Sequence, residues 1–149
     1  MTAKEKELKN IKIYTDGACS GNPGAGGWGA VLIYGKTEKH LSGNAPDTTN
    51  NRMEMTAVIE ALKSLKHKCA VAIFTDSKYV MDGATTWIIN WKKRGWKTAD
   101  KKPVKNEDLW RELDELLTQH EISWNWVRGH NGDHYNEIAD TLATEAIIR

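Results

Sequence analysis

Hydrophobic and polar positions along this chain change period several times, and each change predicts a new element. Ile11, Ile13 and Thr15 alternate with Lys12, Tyr14 and Asp16, the period of two expected of a strand over Ile11–Cys19. Ser20-Gly21-Asn22-Pro23-Gly24 follows as a turn on composition. Two further strands, Trp28–Tyr34 and about Glu38–Ser42, flank Gly35 and make the opening an antiparallel meander.

The period then lengthens. From Asn51 onward, Met55, Val58, Ile59, Leu62 and Leu65 recur at helical spacing. Ala70–Thr75 is a short apolar run suited to a buried strand. Ser77 to about Asn90 reads as helical, with Gly83 a candidate break into two pieces. Asn106–Thr118 is a helix with Leu109, Leu113, Leu116 and Leu117 on one side. Ile122–Val127 is a strand, and Tyr135–Ile148 a closing helix with Ile138, Leu142 and Ile147 inside. The order βββαβααβα predicts one α/β domain over residues 1–149. Its sheet should be mixed, the later strands parallel and covered on both faces by helices.

Composition adds exclusions. Hydrophobic content of 40% beside 28% charged residues suits a folded soluble chain and argues against disorder. No stretch approaches the roughly 20 apolar residues that span a bilayer. The opening MTAKEKELKN has no apolar core for a signal peptide, so a cytoplasmic location is expected. In that compartment Cys19 and Cys69 are expected to be free thiols. No pattern calls for an obligate oligomer, and a monomer is expected.

Net charge is only +1, but it is unevenly spread. Between Trp87 and Lys105 stand Lys92, Lys93, Arg94, Lys97, Lys101, Lys102 and Lys105, opposed by Asp100 alone. That segment carries +6, which leaves −5 for the rest of the chain. Trp87, Trp91 and Trp96, three of the seven tryptophans, lie inside it. Lysines attract phosphates and aromatic rings pack on sugars or bases, so this lobe is a candidate surface for a polyanion. Trp110, Trp124 and Trp126 are assigned to the core instead.

Four acids are candidates for chemistry. Asp16 ends the first strand before a glycine turn, and Asp76 ends the buried strand before a helix. Sites in open α/β sheets form at such strand ends, and adjacent parallel strands would set the two carboxylates side by side. Their repulsion would call for a cation. Each acid also has a plain structural reading. Asp16 could be a turn residue and Asp76 a helix cap, while Asn51 and Glu54 fit a capping box. Asp140 could sit on a solvated helix face, although Asn136, Asp140, Ala143 and Ile147 trace one line that borders the buried stripe. Only the four together favour a site. Hard oxygen donors select Mg²⁺ or Mn²⁺, and two ions about 3.5–4 Å apart can clamp a phosphodiester without any nucleophilic side chain. No Ser–His–Asp or Cys–His pairing, P-loop or zinc-ligand spacing stands out. His130, in Gly129-His130-Asn131-Gly132, lies ten residues before Asp140 and could shuttle a proton.

In these residues the chain resembles the bacterial type 1 ribonuclease H family. The matching blocks are Tyr-Thr-Asp16-Gly-Ala-Cys-Ser-Gly-Asn-Pro-Gly, Thr-Thr-Asn-Asn-Arg-Met-Glu54, Thr-Asp76-Ser, the run from Trp91 to Lys105, and Arg128-Gly-His130 followed by Asn136 and Asp140. The resemblance implies a five-stranded mixed sheet flanked by helices, its first three strands antiparallel. It also implies endonucleolytic cleavage of the RNA strand of RNA–DNA hybrids by two Mg²⁺ ions, with Mn²⁺ a possible substitute, leaving 5′-phosphate and 3′-hydroxyl ends. By position Asp16 would bridge both ions, Asp140 complete one ion site, and Glu54 and Asp76 the other. His130 would assist proton transfer or product release.

The same resemblance places Asn22, Asn50 and the backbone around Cys19 against the minor groove, where RNA displays its 2′-hydroxyls. Thr49 and Asn90 would hold a phosphate of the DNA strand beside Trp87. Trp91, Lys92, Lys93, Arg94, Trp96 and Lys97 would line the basic lobe, and Asn136 would be a further substrate contact. Lys78 stands where relatives often carry a side-chain amide, so a groove contact would become a phosphate contact. Asn131 stands where a smaller residue is common. Two other classes compete: a hybrid-binding module without catalysis, which would not need all four acids, and a DNA-directed nuclease or recombinase, which would not need the groove asparagines with the Trp-rich lobe.

Overall fold

The computed structural model describes residues 8–128 and 133–148. Five strands form one sheet in the order β3-β2-β1-β4-β5. They are β1 (Lys9–Gly21), β2 (Gly24–Tyr34), β3 (Thr37–Thr48), β4 (Cys69–Thr75) and β5 (Glu121–Trp126). The first three pair antiparallel, whereas β4 runs parallel to β1 and β5 parallel to β4. This is the mixed sheet expected from the strand order.

The meander strands are longer than their hydrophobic pattern suggested. In β2 the added residues are Gly24-Ala25-Gly26-Gly27, too small to announce a strand. In β1 the alternation is lost from Ile13 to Gly17, where both faces are buried. Asp16 therefore does not end a strand or sit in a turn. It lies inside β1, opposite Gly29 of β2.

Helices cover both faces. On one side lie α1 (Asn50–Lys63) and α4 (Glu107–Thr118), over a core that includes Ile11, Ile13, Val58, Leu62, Ile73, Trp110 and Leu113. Arg52 of α1 locks these two helices together. Its guanidinium donates to both carboxylate oxygens of Asp108, at 3.0 and 2.7 Å, and to Asn106 Oδ1 at 3.2 Å. That fork holds the Asp108 carboxyl below its usual range. On the other side α5 (His134–Ala146) packs over β1 and β2, burying Asn136, Ala139 and Ala143. Ile138 and Leu142 are only half-buried against Tyr14 and Val31, and Ile147 caps the helix rather than extending it.

The segment after β4 does not break at Gly83. Helix α2 (Lys78–Asp82) continues through a π-helical turn, Gly83–Trp87, into α3 (Ile88–Lys93). A glycine lowers helix propensity by about 1 kcal/mol but does not end a helix, and a wider turn absorbs the extra residue. Cys19 and Cys69 are free thiols, as expected. Among the described residues no helix is long and apolar enough to cross a membrane.

Candidate active site

Three of the four candidate acids converge. Asp16, Glu54 and Asp76 each offer a carboxylate oxygen, and these oxygens lie within 4.8 Å of one another. The parallel register explains the first pairing: Tyr14 is level with Phe74, so two residues on, Asp16 is level with Asp76. Glu54 arrives from α1, which can approach because position 17 is glycine. A Cβ there would stand 2.5 Å from the Glu54 backbone nitrogen. The fourth acid, Asp140, comes from α5, and here Gly29 opens the way. A Cβ on Gly29 would stand 2.6 Å from the Ala139 carbonyl oxygen, so its absence lets α5 lie directly over Asp16. Asp140 is within hydrogen-bond reach of the Asp16 carboxyl but does not join the three-acid cluster. Asp16 is thus the acid that neighbours both Asp140 and the Glu54–Asp76 pair.

The plain structural readings fail for Glu54 and Asp76 as for Asp16. Helix α1 is capped by Thr49, whose hydroxyl oxygen accepts the Arg52 N–H at 3.2 Å, so Asn51 and Glu54 form no capping box. Helix α2 is capped by Ser77, not Asp76. Glu54 is buried, and its Oε2 has no hydrogen-bond partner. Leaving a buried carboxylate oxygen without a partner is costly, so this group calls for a cation or a proton.

The electrostatics agree. Burial, then the charge of Asp76, pushes the Asp16 carboxyl up to about 7. The Gly17 N–H, donating to Asp16 Oδ1 at 2.9 Å, only partly offsets this. Burial, then the charges of Asp16 and Asp76, raises Glu54 well above the usual carboxylate range. An all-oxygen donor set that repels itself and leaves one buried oxygen unpaired fits a hard divalent cation such as Mg²⁺ or Mn²⁺. Asn136, one helical turn before Asp140, is also buried, and neither amide atom has a hydrogen-bond partner among the described residues. His130 and Asn131 lie outside the described residues.

The substrate-contact candidates divide. Asn22, Thr49 and Asn50 line one cleft of about 370 Å³, with Pro23, Asn51, Lys105 and Asn106. Asn22 Oδ1 accepts the Asn50 backbone N–H at 3.1 Å, which fixes their spacing. Cys19 stands beside them, its Sγ 3.4 Å from the Thr48 carbonyl oxygen. Asn90, expected to share a pocket with Thr49, is exposed on α3 and does not line this cleft. Of the others lining it, Lys105 is one of the cations counted in the basic lobe, whereas Asn51 and Asn106 are not among the substrate-contact candidates. The one local sign is that Asn106 has a left-handed backbone (φ 60), a conformation asparagine tolerates.

In the lobe, Lys92, Lys93, Arg94 and Lys97 are exposed, and Lys92 is held by Asp114 at 3.2 Å. Trp87 is exposed, whereas Trp91 and Trp96 are half-buried against the core, the Trp91 ring tilted 59° to that of Trp110 with centroids 5.4 Å apart. Of the tryptophans assigned to the core, Trp110 is fully buried and Trp124 half-buried. Trp126 departs from that assignment: it is 42% exposed at the end of the edge strand β5. Ile122, Trp124 and Trp126 share one face, but only the first two pack against the core.

The model of the RNase H family matches residues 8–148. The chain belongs to the RNase H family. Among relatives, ribonuclease H of Cupriavidus necator is 62% identical over 140 residues, covering 94% of this chain and 97% of that protein. Ribonuclease HI of Pseudomonas aeruginosa is 58% identical over 147 residues, 99% of this chain and 97% of its own. Among solved structures, LC9-RNase H1, a type 1 RNase H with the type 2 active-site motif, superposes with a TM-score of 0.86 at 34% identity. That match covers 94% of this chain and 72% of the other. Within the RNase H family the likeness is therefore to the bacterial type 1 enzymes, on their mixed five-stranded fold.

Proposed function

We propose that this RNase H hydrolyses the RNA strand of RNA–DNA hybrids endonucleolytically, with two Mg²⁺ ions held by its carboxylates, leaving 5′-phosphate and 3′-hydroxyl ends. The observation that carries the reading is the convergence of Asp16, Glu54 and Asp76 within 4.8 Å around a buried, unpartnered oxygen. When bound, the ions supply an activated water and charge compensation for the leaving oxygen. Asp16 neighbours both groups of acids, which supports this reading: it would hold both ions, Asp140 would help to hold one, and Glu54 and Asp76 the other. Burial of Asp16 and Glu54 keeps these oxygens aimed before substrate arrives, so little reorganisation is needed.

Strand choice follows from the cleft beside the acids. The amides of Asn22 and Asn50 can both donate and accept, as recognition of a 2′-hydroxyl requires. The Thr49 hydroxyl oxygen is engaged as an acceptor, which leaves its own proton free to donate to a phosphate. The exposed cations of the lobe hold the second strand electrostatically, and Trp87 offers its ring beside them. His130 is assigned proton transfer or product release. The protein is assigned to the cytoplasm as a monomer without an obligate protein partner.

The test is cleavage of labelled RNA–DNA hybrid, duplex RNA and duplex DNA side by side, with Mg²⁺, with Mn²⁺ and with chelator. Cutting confined to the RNA of the hybrid and abolished by chelator is the expected result. Equal cutting of duplex DNA, or indifference to chelator, overturns the reading.

A further inference from the structure

The exposed Trp126 stands beside the carboxylates at the edge of the sheet. It is the register partner of Thr75, the residue before Asp76, so it stands one strand beyond the carboxylates in the sheet. Its Nε1 donates to the Asp76 backbone carbonyl at 3.4 Å, which fixes the indole to the same turn that carries the acid. Lys78 Nζ lies 4.5 Å from the ring centroid and the Arg128 guanidinium 5.7 Å from it. Among the described residues neither cation enters an ion pair.

Two unpaired cations laid over one exposed indole make little sense as a packing device, since a cation–π contact in water is weak and two cations repel. They make sense as donors held ready for an anion. With Asn22 and Asn50 read as contacts to 2′-hydroxyls, the sheet order points to the RNA strand. Asn22 and Asn50 stand on the β1 side of the acids, Trp126 on the β5 side, and Asp76 between them. A strand whose scissile phosphate sits on the acids, with its 2′-hydroxyls toward Asn22 and Asn50, continues over β4 toward Trp126.

We infer that Trp126, with Lys78 and Arg128 over its ring, forms a further subsite that grips the sugar–phosphate backbone of the RNA strand on the far flank of the cut. The indole supplies a flat face for a ribose or base, and the two cations supply phosphate contacts. This rests on the reading of the acids as the site of RNA cleavage.

The experiment measures kcat and KM on labelled hybrid over a range of salt for Trp126→Leu, Trp126→Phe, Arg128→Gln and the Lys78→Gln/Arg128→Gln pair, with melting temperatures as a check on folding. Trp126→Leu is expected to raise KM about five- to tenfold, and Trp126→Phe to recover most of that by keeping a ring. Arg128→Gln is expected to lower the slope of log KM against log salt by about one, and the pair by about two. A merely structural tryptophan would shift the melting temperature without moving the salt slope. Folded variants with wild-type KM and slope overturn the subsite. If Trp126→Leu does not fold, the two cation variants decide by the same readouts. A wild-type protein that leaves hybrid uncut overturns the cleavage reading itself, which separates the two failures.

Discussion

The carboxylate cluster and the basic lobe carry opposite charge and are built in opposite ways. Asp16 and Glu54 are buried on the central strand and the helix packed against it, held by close backbone approaches at Gly17 and Gly29. Lys93, Arg94 and Lys97 are exposed around a short helix and the turn after it, with no ion pair among the described residues. A buried charge cluster costs stability and depends on sub-ångström placement, whereas exposed cations are screened and act almost independently. On the proposed function, chemistry sits where the fold is close-packed and electrostatic capture where it is open.

Removing one acid should expose that difference most sharply. Asp16→Asn is expected to lower kcat by at least about a hundredfold to a thousandfold, because it deletes the carboxylate shared by both groups of acids. Single-turnover cleavage of hybrid at saturating Mg²⁺ measures this, and a loss confined to KM would contradict the bridging role.

Gly17→Ala should come next. Its Cβ would fall 2.5 Å from the Glu54 nitrogen and 2.6 Å from the Met53 carbonyl carbon, so α1 must shift. A destabilisation of about 1–3 kcal/mol, read from denaturant unfolding, is expected together with a fall in kcat as Glu54 moves away from Asp16. The same substitution at Gly95 of the lobe, where a Cβ meets nothing but φ is 66, should cost only about 1 kcal/mol and leave kcat nearly intact.

The two regions should also separate by pH and by ions. In the metal-free protein the folded Asp16 carboxyl is raised to about 7, so between about pH 4 and 7 the folded state keeps a proton that the unfolded chain releases. Its contribution to stability is thus full at acid pH and is lost as pH rises through 7. Melting temperature against pH should fall across that window, recover on adding Mg²⁺, and flatten in Asp16→Asn. A rising curve would reverse the sign of the argument.

Neutralising Lys92, Lys93 and Arg94 is expected to give the smallest effect on the chemistry. KM should rise and its salt slope flatten by about two to three, with stability changed by no more than about 0.5 kcal/mol. An unchanged slope would place the polyanion elsewhere.

Much of this contrast can be read in the chain. The lobe is visible as a run of lysines, and β4, α1 and α4 announce themselves by the spacing of Val71 and Ile73, of Val58 and Leu62, and of Leu109, Leu113 and Leu116. The acids are visible as residues within matching blocks, although each local pattern also fits a cap or a turn. What misleads is local. The glycines of β2 hide a strand, because they admit close neighbours rather than fill the core: Gly27 and Gly29 admit α5, and Gly26 admits Thr48 and Met53. The alternation of Ile122, Trp124 and Trp126 suggests three core residues, yet the third passes beyond the helices that cover that face.

Periodicity, charge blocks and motif order belong to the sequence by itself, because each follows from neighbours a few residues apart. They determine the elements, the mixed sheet, the family and the short list of acids. Tertiary structure alone decided that Asp16 and Asp76 are level, that Glu54 holds an unpaired oxygen, and that Trp126 stands outside the core. Each of these depends on strand register and helix approach, and those are set by contacts between residues tens of positions apart.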